Sequence, residues 1–91
     1  MTKFMVRCKK KAIQELPNNK SGVYIIKNHN GTNMYAGVAT RAKVQQQLET
    51  HFHDGEHYIP GAWIEFHQCQ NITEANALLD KILAHQTPTY Q

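Results

Sequence analysis

The sequence predicts a small α+β (α/β-class) domain: a three-stranded antiparallel sheet flanked by helices, in the core order ββαβα. Three observations carry that expectation. Two β-prone runs, Val23 to Lys27 and Asn33 to Val38, flank an Asn30-Gly31 pair, a strong short-range signal for a hairpin. Two later segments repeat apolar residues at helical spacing, and the alternating run Ala62 to His67 lies between them. At 91 residues, 41% apolar and 19% charged, the chain suits one globular domain with a modest core and is too apolar for a disordered one.

Each element has its own signal. Phe4-Met5-Val6-Arg7-Cys8 is β-prone and reads as an edge strand or an ordered arm. Ala12 to Leu16 suits a helical turn that Pro17 stops. Asn18-Asn19-Lys20-Ser21-Gly22 is a turn cluster, and the two hairpin strands follow it. Thr40 stands where a cap belongs, ahead of a helix from Arg41 to Phe52 with Val44, Leu48 and Phe52 every fourth residue. Asp54-Gly55 closes that helix. Asn71 or Thr73 opens another, running to about His85 on the stripe Ala75, Leu78, Leu79 and Ile82, with Pro88 beyond. The expected organisation is a single domain over 1–91, with residues 1–15 a basic N-terminal extension and 16–91 the core.

Charge and composition narrow the function classes. The formal net charge is +3, a lean toward polyanions, and Lys3, Arg7, Lys9, Lys10 and Lys11 crowd the first eleven residues. No apolar run approaches the roughly 20 residues that cross a bilayer, and the basic start lacks the apolar stretch of a secretory signal. Cys8 and Cys69 have no CxxC spacing and read as reduced thiols, which makes the cytoplasm the expected compartment. His51, His53 and His57 with Cys69 repeat no paired-ligand spacing, so no metal site is expected from them. Gln45-Gln46-Gln47 reads as the polar face of a helix, and Trp63 as a core or edge aromatic in preference to a base-stacking one.

Two glycine–tyrosine motifs stand on the predicted hairpin, Gly22-Val23-Tyr24 and Tyr35-Ala36-Gly37. With Leu16-Pro17 before them and Thr73-Glu74-Ala75, Leu78, Ile82-Leu83 and Pro88-Thr89-Tyr90-Gln91 behind, the pattern over Leu16 to Gln91 resembles the GIY-YIG nuclease superfamily. In pattern it is similar to the N-terminal nuclease domain of bacterial excision-repair incision subunits. The resemblance implies a phosphodiesterase site. Two tyrosines converge on it, a helical arginine neutralises phosphate, a glutamate on a later helix holds one divalent metal, and a terminal asparagine completes it.

Carried over residue by residue, the resemblance puts Tyr24 and Tyr35 in the catalytic tyrosine positions, with Gly22 and Gly37 as the motif glycines. Gln47 falls at the arginine position, Gln91 at the asparagine position and Leu79 at the metal-holding glutamate. Leucine cannot ligate Mg²⁺ or Mn²⁺. Asp80, one helical step away, is turned by about 100°. The leading expectation is therefore a degenerate, catalytically silent or impaired nuclease-like domain that needs no cofactor and binds DNA or another nucleic acid weakly. Lys27, Arg41, Lys43, Gln47 and Gln91 are the candidate nucleic-acid contacts. Tyr24 and Tyr35 either keep a polar role toward phosphate or pack as strand aromatics. A second reading is an active nuclease using Mg²⁺ or Mn²⁺ on a displaced acid, Asp80, Glu74 or Glu65. A third is a protein-interaction module or homodimer formed through a sheet edge.

Overall fold

The computed structural model describes residues 2–16, 18–49 and 61–85. The elements follow as β1 (Thr2–Arg7), α1 (Lys10–Ile13), β2 (Gly22–Lys27), β3 (Asn33–Ala39), α2 (Val44–Glu49), β4 (Trp63–Gln68) and α3 (Ile72–His85). The strands form an antiparallel sheet in the spatial order β1-β4-β2-β3.

The hairpin forms where its turn chemistry directs. Asn28 Oδ1 accepts the backbone N–H of Asn30 and of Thr32, both at 2.9 Å. Gly31 takes φ +82°, a left-handed geometry that glycine adopts without a Cβ penalty. The strands then pair with Tyr24 opposite Gly37 and Ile25 opposite Ala36.

The sheet has four strands where three were expected in the core. The Phe4–Cys8 run is the edge strand, paired with β4 from Thr2 opposite Gln68 to Arg7 opposite Trp63. Residues assigned by sequence to a basic extension thus supply β1 and α1. Phe4 and Val6 pack against the core, while Lys3, Met5 and Arg7 alternate outward. Two inward apolar residues within a basic run make too short a pattern to separate a sheet strand from an arm.

α2 starts three residues later than expected, at Val44, and Thr40 is not its cap. The capping oxygen comes from the distant loop: Val44 N–H donates to Asn18 Oδ1 at 2.8 Å and Gln45 N–H reaches the same atom at 3.5 Å. Ala42, at φ 68°, turns the chain sharply and is held by Asn18 as well, its N–H donating to the Asn18 carbonyl and its carbonyl accepting from Asn18 Nδ2. The glutamine run is more than a polar face. Gln45 Nε2 donates to the carbonyls of Gln14 and Leu16, fastening α2 to the end of α1. At α3 the choice between Asn71 and Thr73 falls to Asn71, whose Oδ1 accepts the Glu74 N–H at 2.9 Å, while the Glu74 carboxylate accepts the Gln70 N–H.

Strand alternation divides the core in two. Tyr24, Ile26, Ile64 and Phe66 pack under α1 and α2 with Ile13, Val44 and Leu48. Val23, Ile25 and Ala36 face α3, where Ala75, Leu78, Leu79 and Ile82 meet them. α3 lies across β2 and β3. No helix among the described residues is long and apolar enough to cross a membrane.

Candidate functional site

The hairpin brings the two motif tyrosines together. Their ring centres are 6.0 Å apart, tilted by 34°, within the range of favourable aromatic pairs. Tyr24 is 3% exposed. Burial, reinforced by the charge of Tyr35 and a hydrogen bond with it, pushes the Tyr24 phenol well above its ordinary value. Tyr24 therefore stays protonated at neutral pH and can donate a hydrogen bond, but it is a poor base.

The motif glycines serve this packing. A Cβ at Gly37 would stand 2.7 Å from the Tyr24 hydroxyl and 3.1 Å from the Tyr35 ring. A Cβ at Gly22 would strike the Phe66 ring and the His67 carbonyl. Both positions stay bare so that an aromatic ring can lie on the backbone.

Gln47, which the resemblance puts at the arginine position, is on α2 and reaches the end of β3 with its side chain. Its Oε1 accepts the Thr40 N–H at 2.9 Å and its Nε2 donates to the Val38 carbonyl at 3.3 Å. It fastens the β3–α2 turn, and its amide carries no charge toward a phosphate. Arg41 and Lys43 are exposed on that turn, with the Arg41 backbone N–H donating to Ser21 Oγ. Lys27 is elsewhere. It projects to the α3 face, opposite Tyr24, and its Nζ lies 2.8 Å from Glu65 Oε2. Gln91, and His51, His53 and His57, fall outside the described residues.

Leu79 is half-buried and packs against the α3-face cluster of Val23, Ile25, Ala36, Cys69 and Ala75. Strand alternation puts Tyr24 on the other side of the sheet from Val23 and Ile25. The residues present do not fit a divalent cation at this position, since leucine offers no oxygen donor and the cluster it packs against is apolar. The three candidate displaced acids are scattered. Glu74 caps α3, Asp80 is exposed, and Glu65 is ion-paired. Among the described residues no three His, Cys, Asp or Glu side chains are placed to hold a metal ion. Cys8 packs on the α1–α2 face and Cys69 on the α3 face, both as free thiols. Burial raises the pKa of each, which leaves neither activated as a nucleophile.

The cluster that sequence reasoning missed is centred on Glu65. Its carboxylate is on β4 yet only 6% exposed, because Lys3, Lys27 and His67 lie over it. Lys3 Nζ is 2.9 Å and His67 Nε2 3.1 Å from Oε1, and Lys27 takes Oε2. Burial pushes this carboxyl up, but the hydrogen bonds from Lys27 and Lys3 and the charges of Lys27 and His67 outweigh it and hold the group at about 2. One strand further along the sheet end, the Arg7 guanidinium lies 5.0 Å from the centre of the Trp63 ring, a cation–π distance. The period-two order Trp63, Glu65, His67 was the available signal for a shared face. Its partners on β1 and β2 had none.

The paired tyrosine motifs and the arrangement of the elements define the class, a GIY-YIG-like fold. The chain is similar to the GIY-YIG N-terminal endonuclease domain of UvrC from Thermotoga maritima, solved bound to its catalytic divalent cation, magnesium. The TM-score is 0.70 at 25% identity, over 90% of this chain and 93% of that one. Two point mutants of that domain, also bound to the catalytic cation, match with the same TM-score and identity over 92% of their chains. No protein-family model matches the sequence, and no curated protein matches it.

Proposed function

We propose that this domain is a GIY-YIG scaffold whose catalysis is silent or severely impaired, and that it binds nucleic acid weakly through basic side chains. The observation that carries this reading is Leu79. Where the resemblance calls for a metal-holding glutamate, a leucine packs among Val23, Ile25 and Ala36, and the arginine position is filled by Gln47 bonded to the backbone. The Thermotoga domain was solved with magnesium, whereas among the described residues of this chain no three His, Cys, Asp or Glu side chains gather to hold a metal ion. What remains is charge: Arg41 and Lys43 on the β3–α2 turn, Lys27 on β2, and the basic residues of the first segment. Contacts of that kind release counterions, so affinity falls steeply with salt.

Fluorescence anisotropy with labelled DNA at two salt concentrations, beside a cleavage assay with Mg²⁺ and Mn²⁺ on plasmid and single-stranded DNA, tests the reading. Salt-sensitive binding at micromolar protein without cleavage is expected. Metal-dependent cleavage abolished by Tyr24→Phe would overturn the catalytic half, and absence of salt-sensitive binding would overturn the other. Leu79→Glu combined with Gln47→Arg probes the register, and cleavage gained only by the double variant would locate the lost groups.

A further inference from the structure

Among the described residues, only half of the sheet is covered on the α3 face. α3 packs over β2 and β3, while β1 lies at the far edge of the sheet. There the Lys3 side chain is 59% exposed and Met5 49%, and Arg7 is exposed beside the half-buried Trp63. This open half gathers cations from three elements: Lys3 and Arg7 of β1, Lys27 of β2 and Lys81 of α3. Glu65 is buried beneath Lys3 and Lys27, so over it solvent meets their ammonium groups and the carboxylate acts as a fixed anchor. At the outer edge the exposed Glu15 shares a hollow with Met5, Arg7, Lys9, Lys11 and Trp63, where cations outnumber it.

The surface between these charges is hollowed and partly aromatic. Trp63 borders a hollow of about 320 Å³ with Met5, Lys27, His29 and Gly31. Next to it a second hollow, about 350 Å³, runs between α3 and the sheet, with Lys27, His67, Lys81 and His85 at its rim and Leu78 and Ile82 in its wall. Either is large enough for a nucleobase. Cations flanking a tryptophan on an open sheet are the two elements that single strands require. Phosphates pair with the charges. The Arg7 guanidinium already lies 5.0 Å from the centre of the Trp63 ring, so an unpaired base meets the ring from the hollow of Met5, Lys27, His29 and Gly31, which Arg7 does not line. A duplex buries those base faces and cannot use the tryptophan. Lys3 and Arg7, four residues apart on one strand face, place positive charge ~13 Å apart along the edge, suited to an extended polyanion more than to a single phosphate.

We propose that this open half of the sheet is a platform for single-stranded nucleic acid, with an unpaired base stacked against Trp63 and backbone phosphates on Lys3, Arg7, Lys27 and Lys81. The proposal rests on the nucleic-acid reading above and deepens it, placing the contact on the face opposite Tyr24.

The test uses labelled oligo(dT) and a duplex of equal length, read by anisotropy and by the emission of Trp63, the chain's one tryptophan. The single strand is expected to bind more tightly than the duplex and to quench Trp63. Trp63→Leu should weaken single-strand binding by about 5-fold or more, the scale of a lost base–aromatic stack, while Trp63→Phe keeps most of the affinity. Because Trp63→Leu also touches packing, the exposed pair Lys3→Gln with Lys81→Gln gives an independent reading. It should flatten the salt dependence by about 1.4 in log–log slope. If single strands bind but these variants change nothing, and Arg41→Gln with Lys43→Gln abolishes binding, the platform is refuted and the broader reading stands. If neither probe binds at micromolar protein, both fall. A dimer that Trp63→Leu dissociates, without nucleic-acid binding, would assign the face to a second copy of the chain and also refute the platform.

Discussion

Replacing Glu65 by glutamine keeps the shape of the side chain and removes the charge that Lys3 and Lys27 share. The carboxyl titrates at about 2 in the folded protein against an ordinary value of 4.5, a gap of roughly two and a half pH units, and each unit corresponds to about 1.4 kcal/mol. The ceiling on what ionised Glu65 contributes is thus about 3 kcal/mol. Lys3 is 59% exposed, so its share is screened by solvent, and the expected loss in Glu65→Gln near neutral pH is about 2 kcal/mol. The sign follows from a depressed folded-state value. The contribution is fully present above 4.5 and shrinks as pH falls from there toward 2. Urea unfolding of both proteins, followed by Trp63 fluorescence, should show a wide gap near pH 7 and a much smaller one near pH 3. A gap below about 0.5 kcal/mol at neutral pH, or one equally wide in acid, would refute the assignment of the low carboxyl to this cluster.

Three further perturbations follow from the packing. Asn18→Ala removes the cap of α2 and the side-chain bond to the Ala42 carbonyl, while the Asn18 carbonyl keeps the Ala42 N–H, and should cost about 1–2 kcal/mol by urea unfolding; a loss under about 0.5 would mean the turn finds another cap. Gly37→Ala puts a methyl 2.7 Å from the Tyr24 hydroxyl, so a loss of about 1–3 kcal/mol is expected. Pairing it with Tyr24→Phe should be less than additive, and strict additivity in the double-mutant cycle would show that the two groups do not meet. Ala42→Gly relieves a left-handed alanine at φ 68° and should raise stability by up to about 1 kcal/mol, the Cβ strain outweighing the added freedom of the unfolded chain. A lower melting temperature would contradict that strain.

What the sequence determined by itself is local. The Asn28–Thr32 turn, the two strands it joins and the stripe Ala75, Leu78, Leu79, Ile82 can all be read within a few residues, because turn chemistry and side-chain periodicity act over that range. The tyrosine pair was legible for the same reason, since a hairpin's register follows from its turn. What only the tertiary structure decided involves partners far apart in the chain. β4 enters between β1 and β2, Asn18 takes the capping role from Thr40, Gln45 and Gln47 bond to backbone carbonyls, and Lys3, Lys27 and His67 close over Glu65. No local pattern encodes such meetings. They follow from which sheet face each helix covers, and α3 covers β2 and β3 while leaving Trp63 and its cations at an open edge.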